Sequence, residues 1–145
     1  MEQAKRFNGK TPVIYTDQQF EGIAIRIRQQ LNENSKTLCW HHVLPEMNHN
    51  ELVGWAGGKS EYEVLLIRSI DDFSRTSVRM NITIDVISKK ANIKSFQVKG
   101  NSRIERIIYM INFGDWISWY LSELRQVDAM EIDVINHLKG ELSKI

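Results

Sequence analysis

Residues Leu44 to Trp55 read L-P-E-M-N-H-N-E-L-V-G-W and gather two carboxylates (Glu46, Glu51), two amides (Asn48, Asn50) and an imidazole (His49) between apolar flanks. Polar groups at that density must face solvent or satisfy one another. An imidazole titrates near neutral pH and can pass a proton to or from a bound oxygen. A carboxylate that is partly desolvated can act as a general base. Proton transfer is therefore the chemistry this stretch suits. Metal binding is the rival. His41, His42, His49 and Glu46 are suitable ligand types. Adjacent His41 and His42, however, point to opposite faces of a strand, and neither H-E-x-x-H nor paired cysteines occur. No metal and no cofactor are expected. No G-x-G-x-x-G follows a strand and no Walker motif is present, so nucleotide binding has no support. Cys39, the single cysteine, lies in an apolar run and reads as core filler rather than as a nucleophile.

The elements that must carry these residues follow from hydrophobic spacing. Pro12 to Tyr15 reads as a strand, followed by Asp17 as a helix cap. Phe20, Ile23, Ala24, Ile27 and Leu31 recur at three- and four-residue steps, which predicts a helix from 19 to about 34. Leu38 to Leu44 is a second strand, ended by Pro45. A short helix with Leu52 and Val53 inward and a loop at 55–59 lead to Glu63–Arg68, whose E-V-L-L-I-R suits an internal parallel strand. Asp71 and Asp72 are expected to cap a helix from Phe73 to Ser88, with Phe73, Met80, Ile84 and Ile87 inward. Asn92 to Val98 is the fourth strand. Ser102 and Glu105 have capping-box spacing ahead of a long helix through about Arg125. That helix begins on Ile104, Ile107, Ile108 and Ile111. It continues through Phe113, Trp116, Trp119 and Tyr120, which read as core and interface contacts. A last helix follows Asp128, with Ile132, Ile135, Leu138 and Leu142 on one side. Alternation of this kind predicts an α/β fold: a three-layer α/β/α sandwich around a mainly parallel sheet of four to five strands.

With 145 residues, the chain can form one domain with one core. Residues 1–10 read as a polar lead-in or linker and 11–145 as the domain. Nineteen basic against 18 acidic residues leave a net charge of +1, so neither nucleic acid nor an acidic membrane is expected as a partner. No apolar run reaches the roughly 18 residues of a membrane span. The polar start shows no signal peptide, and a lone cysteine suits a reducing compartment. The expected location is cytoplasmic.

The sequence resembles the C-terminal half of the bifunctional phosphoglucose/phosphomannose isomerases, members of the sugar isomerase (SIS) superfamily. The likeness runs from about Thr11 to Leu142. It is carried by T-P-V-I-Y, L-N-E-N-S-K at Leu31–Lys36, P-E-M-N-H-N-E, V-L-L-I-R, F-G-D-W-I-S-W-Y-L at Phe113–Leu121, and I-x-x-L-K-x-x-L at Ile135–Leu142. The resemblance implies an SIS-type fold. It also implies interconversion of glucose 6-phosphate or mannose 6-phosphate with fructose 6-phosphate. The family's catalytic glutamate falls on Glu33 and its ring-opening histidine on His49. A lysine that assists at the ring oxygen falls on Lys139 by a looser match. Glu46, Asn48, Asn50 and Arg75 are the expected substrate-binding groups.

Glu33 precedes the second strand and His49 follows it, so one chain should hold them at opposite sheet edges. In the family's dimers the histidine crosses the subunit interface, which removes that objection. The family carries two SIS domains per chain, and its serine/threonine phosphate loop lies in the first. No such loop occurs here; Ser69–Ser77 is hydroxyl-rich but acidic. Asp128-Ala129 stands where the family often has Asp-Pro. The expected partners are a phosphorylated hexose, a second copy of the chain and an N-terminal SIS half, without which the substrate site is incomplete. The alternative is a non-catalytic phosphosugar-binding or dimerisation module.

Overall fold

The computed structural model describes residues 2–145. Four strands, β1 (Thr11–Asp17), β2 (Trp40–Leu44), β3 (Tyr62–Arg68) and β4 (Asn92–Gln97), form one sheet in the order β2-β1-β3-β4. Every pair is parallel. The central pair β1 and β3 is apolar on both faces, as strands covered on both sides must be. One face carries Ile14, Leu65 and Ile67 against α1 (Glu2–Phe7), α2 (Glu21–Ser35) and α5 (Arg103–Arg125). The other carries Val13, Tyr15, Val64 and Leu66 against α3 (Glu51–Gly54) and α4 (Ser74–Ile87). The α6 helix (Asp133–Leu142) has no buried residue. The expected three-layer α/β sandwich with a parallel sheet is the observed one.

Several local expectations are corrected. Glu2–Phe7, read as a polar lead-in, is a helix that buries Ala4 and Phe7 in the core. Asp17 does cap, but what it caps is a 3-10 turn, Gln18–Phe20, through Gln19 N. Asp71 and Asp72 do not cap α4, which starts after Phe73 with no side-chain cap. Arg106 binds Asp71 instead, and Asp72 accepts from Ser69 N. Phe73 and Val53 are exposed rather than inward. The capping box is present: Ser102 accepts from Glu105 N while the Glu105 carboxylate accepts from the N–H groups of Asn101 and Ser102.

The inward stripe of α5 is Arg106, Met110, Gly114, Ile117 and Leu121, leaving Ile104 and Ile108 outside. Gly114 is required there. A Cβ on it would sit 2.4 Å from Ile27 Cγ1, so this glycine lets α2 lie directly on α5. Phe113 stacks on Phe96 at 3.9 Å, whereas Trp116 and Trp119 stay nearly half exposed. Asp115 pairs with Arg26 at 2.9 Å. The Cys39 thiol is partly buried beside the core, and burial pushes its pKa up to about 12. It is packing material, as its apolar setting suggested.

Candidate functional site

In a doubly wound sheet the natural ligand crevice lies beyond the strand ends where neighbouring connections diverge. Here that place lies between β1 and β3, and the chain has filled it. Asp17 accepts from the N–H groups of Gln19 (3.1 Å) and Phe73 (3.2 Å). Asp72 accepts from Ser69 N at 2.9 Å. Arg106 grips Asp71 through Nε and Nη2 at 2.6 and 2.7 Å and donates to Gly100 O. Gly100, at φ +143°, lies close against the start of α5; a Cβ would meet Arg106 Cγ and its backbone N at 3.0 Å. The backbone donors that could cradle an anion thus already hold carboxylates. Hydrogen bonds from Arg106 keep the Asp71 carboxyl below its usual range. Burial, reinforced by nearby Asp17, pushes Asp72 up to about 6. Two acids side by side make this crevice unsuited to phosphate.

The motif residues assemble next to it. After β2 the chain passes Pro45 into a 3-10 turn, Glu46–Asn48, with Met47 buried below it. His49 follows, and the Asn50 side chain caps α3 by accepting from Glu51 N. Pro45, Glu46, Asn48, His49 and Arg79 of α4 line a cavity of about 350 Å³. Asn50 Nδ2 donates to Glu46 Oε1 at 3.1 Å, and Asn48 Nδ2 to Thr83 Oγ1 at 2.9 Å. Four of the expected site residues therefore meet at the edge where strands end. Arg75 does not line this cavity; Arg79, one turn further along α4, does.

Glu51 anchors the segment. Its Oε1 accepts from the Tyr15 hydroxyl and from Trp40 Nε1 (2.9 Å), and its Oε2 lies 2.7 Å from His42 Nδ1. Trp55 Nε1 donates to the same tyrosine oxygen at 3.0 Å. Burial and the neighbouring carboxylate push the Tyr15 phenol far up. His41 turns to the other face, where burial and Arg28 lower its pKa. The two adjacent imidazoles are thus split across the sheet, and among the described residues no three metal-ligating side chains converge.

Glu33 and Lys139 lie elsewhere. The α2 helix runs back to the edge where the strands begin, so Glu33, in its last turn, and His49, which follows β2, lie toward opposite ends of that strand. Glu33 is exposed and lines a second cavity of about 170 Å³ with Lys36, Glu131 and Ile135. Lys36, at φ +51°, ends α2 and donates to Glu33 O (2.8 Å) and Glu131 O (2.7 Å), tying the approach to α6 onto this helix end. Lys139 lies one turn beyond Ile135 on the same stripe of α6. The chain thus divides the expected residues into two groups at opposite edges: Glu33 with α6, and His49 with Glu46, Asn48 and Asn50.

Sequence reasoning missed Arg79, Thr83 and the convergence of three side chains, Tyr15, Trp40 and His42, on Glu51. The Arg75–Arg79 spacing offered a signal for Arg79, since i and i+4 share a helix face. Nothing local pointed to Tyr15, which reaches Glu51 from another strand.

The sequence matches the family described as "Bacterial phospho-glucose isomerase C-terminal SIS domain" over residues 1–142. A bifunctional phosphoglucose/phosphomannose isomerase of Aquifex aeolicus (strain VF5) is 34% identical, aligned over 99% of this chain and 46% of its own length. One of the same name from Thermoplasma volcanium is 35% identical over 94% of this chain and 45% of its own. The chain therefore spans about half the length of these relatives. Among solved structures, a putative phosphosugar isomerase of Clostridium difficile 630 superposes with a TM-score of 0.74 at 17% identity. It covers 95% of this chain and 41% of that one, a likeness of fold alone.

Proposed function

Since the chain belongs to the bacterial phospho-glucose isomerase C-terminal SIS domain family, we propose that it is one half of a phosphosugar aldose–ketose isomerase. Its substrates are glucose 6-phosphate and mannose 6-phosphate, and its product is fructose 6-phosphate. The observation that supports this reading is that Glu33 and His49, to which the resemblance assigns the catalytic roles, line separate cavities at opposite sheet edges. Two copies related by a two-fold axis can place the Glu33 edge of one against the His49 edge of the other.

In the assembled site Glu33 removes the proton from carbon 2 of the open-chain sugar. An ene-diol forms, and the same carboxylate returns the proton to carbon 1. His49 moves a proton to or from the ring oxygen during ring opening, and Lys139 assists there. Glu33 is exposed in the single chain, so the desolvation a base needs has to come from whatever covers that edge. Exposed apolar groups support such a cover: Val134, Leu138 and Leu142 on α6, and Trp116 and Trp119 on α5. With the β1–β3 crevice filled by carboxylates, a phosphate-binding loop from an N-terminal SIS half completes the site. Among the described residues no helix is long and apolar enough to cross a membrane. A reducing cytoplasmic setting suits the one free thiol.

The second reading, a non-catalytic phosphosugar-binding or dimerisation module, is favoured by that same filled crevice. One assay separates the two: fructose 6-phosphate formation from each aldose phosphate, with the chain alone and with the N-terminal half of the Aquifex relative added. The isomerase reading expects turnover in the assembly and its loss in Glu33→Gln and His49→Asn. Saturable binding with no turnover in any assembly would establish the module instead.

A further inference from the structure

His49 sits between the 3-10 turn Glu46–Asn48 and α3, a segment with little to hold it up by itself. The α3 helix has four residues, too few to stand alone, and Val53 within it is exposed. The His49 imidazole is exposed and, among the described residues, makes no side-chain hydrogen bond. Its place is therefore set by its backbone, and the backbone by whatever fixes the segment to the sheet. One buried hydroxyl does so at both ends of α3. Tyr15, fully buried on β1, donates to Glu51 Oε1 where the helix starts. The same hydroxyl oxygen accepts from Trp55 Nε1, 3.0 Å away, just past the helix end. Burial keeps the phenol protonated, so it can do both. Trp40 and His42 hold the Glu51 carboxylate from β2, where His42 is the register partner of Tyr15. On the other side of His49, Met47 is buried beneath the turn and His49 N donates to Glu46 O at 2.9 Å.

We propose that Tyr15 and Glu51 are positioning residues of the ring-opening step, holding α3 to β1 so that the His49 imidazole meets the ring oxygen of the bound sugar phosphate. The role given to His49 rests on the isomerase reading; the hold on its segment rests on the hydrogen bonds. Tyr15 has no exposed surface with which to touch a sugar and acts through His49. Its effect falls on rate rather than on binding, because a proton-transfer group displaced by about 1 Å can lower turnover about 100-fold.

The test compares variants in the assembly used for the isomerase assay and, by ¹⁵N relaxation, in the folded chain. Tyr15→Phe deletes one oxygen, leaving Trp55 Nε1 without its acceptor and Glu51 without a donor. It should lower kcat for glucose 6-phosphate about tenfold or more and leave KM within about twofold. Interconversion of the two glucose 6-phosphate anomers, which needs ring opening alone, should fall in parallel. Glu33→Gln should stop isomerisation and spare that interconversion. Glu51→Ala should match Tyr15→Phe, whereas Glu51→Gln, which keeps an oxygen for Tyr15 and Trp40, should retain most of kcat. Tyr109→Phe, on the outer face of α5, should change nothing. In the chain itself, the His49 backbone order parameter should fall from about 0.85 toward 0.6 in Tyr15→Phe and Glu51→Ala, with α5 unchanged. Turnover that both variants leave intact, or His49 order unchanged in both, overturns this inference alone. No turnover in the unaltered assembly brings down the isomerase reading. Order lost at His49 would then establish the hold on the segment and refute its catalytic purpose.

Discussion

Replacing Gly114 with alanine tests the packing that sets the position of Glu33. The added Cβ would lie 2.4 Å from Ile27 Cγ1 and 3.2 Å from its Cδ1. Ile27 is 1% exposed and β-branched, so it has little room and few rotamers with which to yield. Overpacking of this kind costs about 1–3 kcal/mol. Alanine's helix propensity returns about 1 kcal/mol. The net expectation is a loss of about 1 kcal/mol, or roughly 2–4 °C in Tm for a domain of this size. Gly140→Ala is the matched control, because nothing lies within 4 Å of its Cβ. It should stabilise by up to about 1 kcal/mol. Thermal and urea unfolding read both variants. The cause is isolated by Ile27→Ala, which is destabilising alone but should make Gly114→Ala harmless or favourable in the double variant. If Gly114→Ala raises Tm as Gly140→Ala does, or the two sites add without coupling, the close α2–α5 contact is wrong.

Three further outcomes follow from the same geometry. Burial lifts the Asp72 pKa to about 6, above its unfolded value, so the folded state holds this proton more tightly. That contribution is fully present below about pH 4 and is lost as pH rises through 6. Asp72→Asn should therefore raise Tm at pH 7, with the gain closing below pH 4; a lower Tm at pH 7 contradicts it. Glu51→Ala strands the donors of Tyr15, Trp40 and His42 and should cost about 2–3 kcal/mol by urea unfolding, with Glu51→Gln milder. Ser102→Ala removes one side of the capping box and should cost about 1 kcal/mol.

The four strands and the helices between them were largely legible because V-L-L-I in β3 and the stepped isoleucines of α2 carry distinct periods. The inward face of α5 was not. A helix apolar nearly all round does not mark its own inside, and this one turns Arg106 inward to meet an acid 35 residues away. The same long-range pair took Asp71 from its expected capping role. Six residues at the amino terminus are too few for a period to show, yet Ala4 and Phe7 sit one turn apart and both are buried. The cavity around His49 escaped for a related reason: its basic wall comes from α4, whose approach to the motif only the packed fold defines.

A subunit-mixing experiment tests most directly whether Glu33 of one copy and His49 of another form a single site. Glu33→Gln and His49→Asn chains, each inactive in the complete assembly, are mixed under conditions where mass measurement verifies subunit exchange. A shared site predicts that random pairing restores about a quarter of the original isomerase activity, because half the dimers then hold one intact site of two. Verified exchange with no recovered turnover would contradict it.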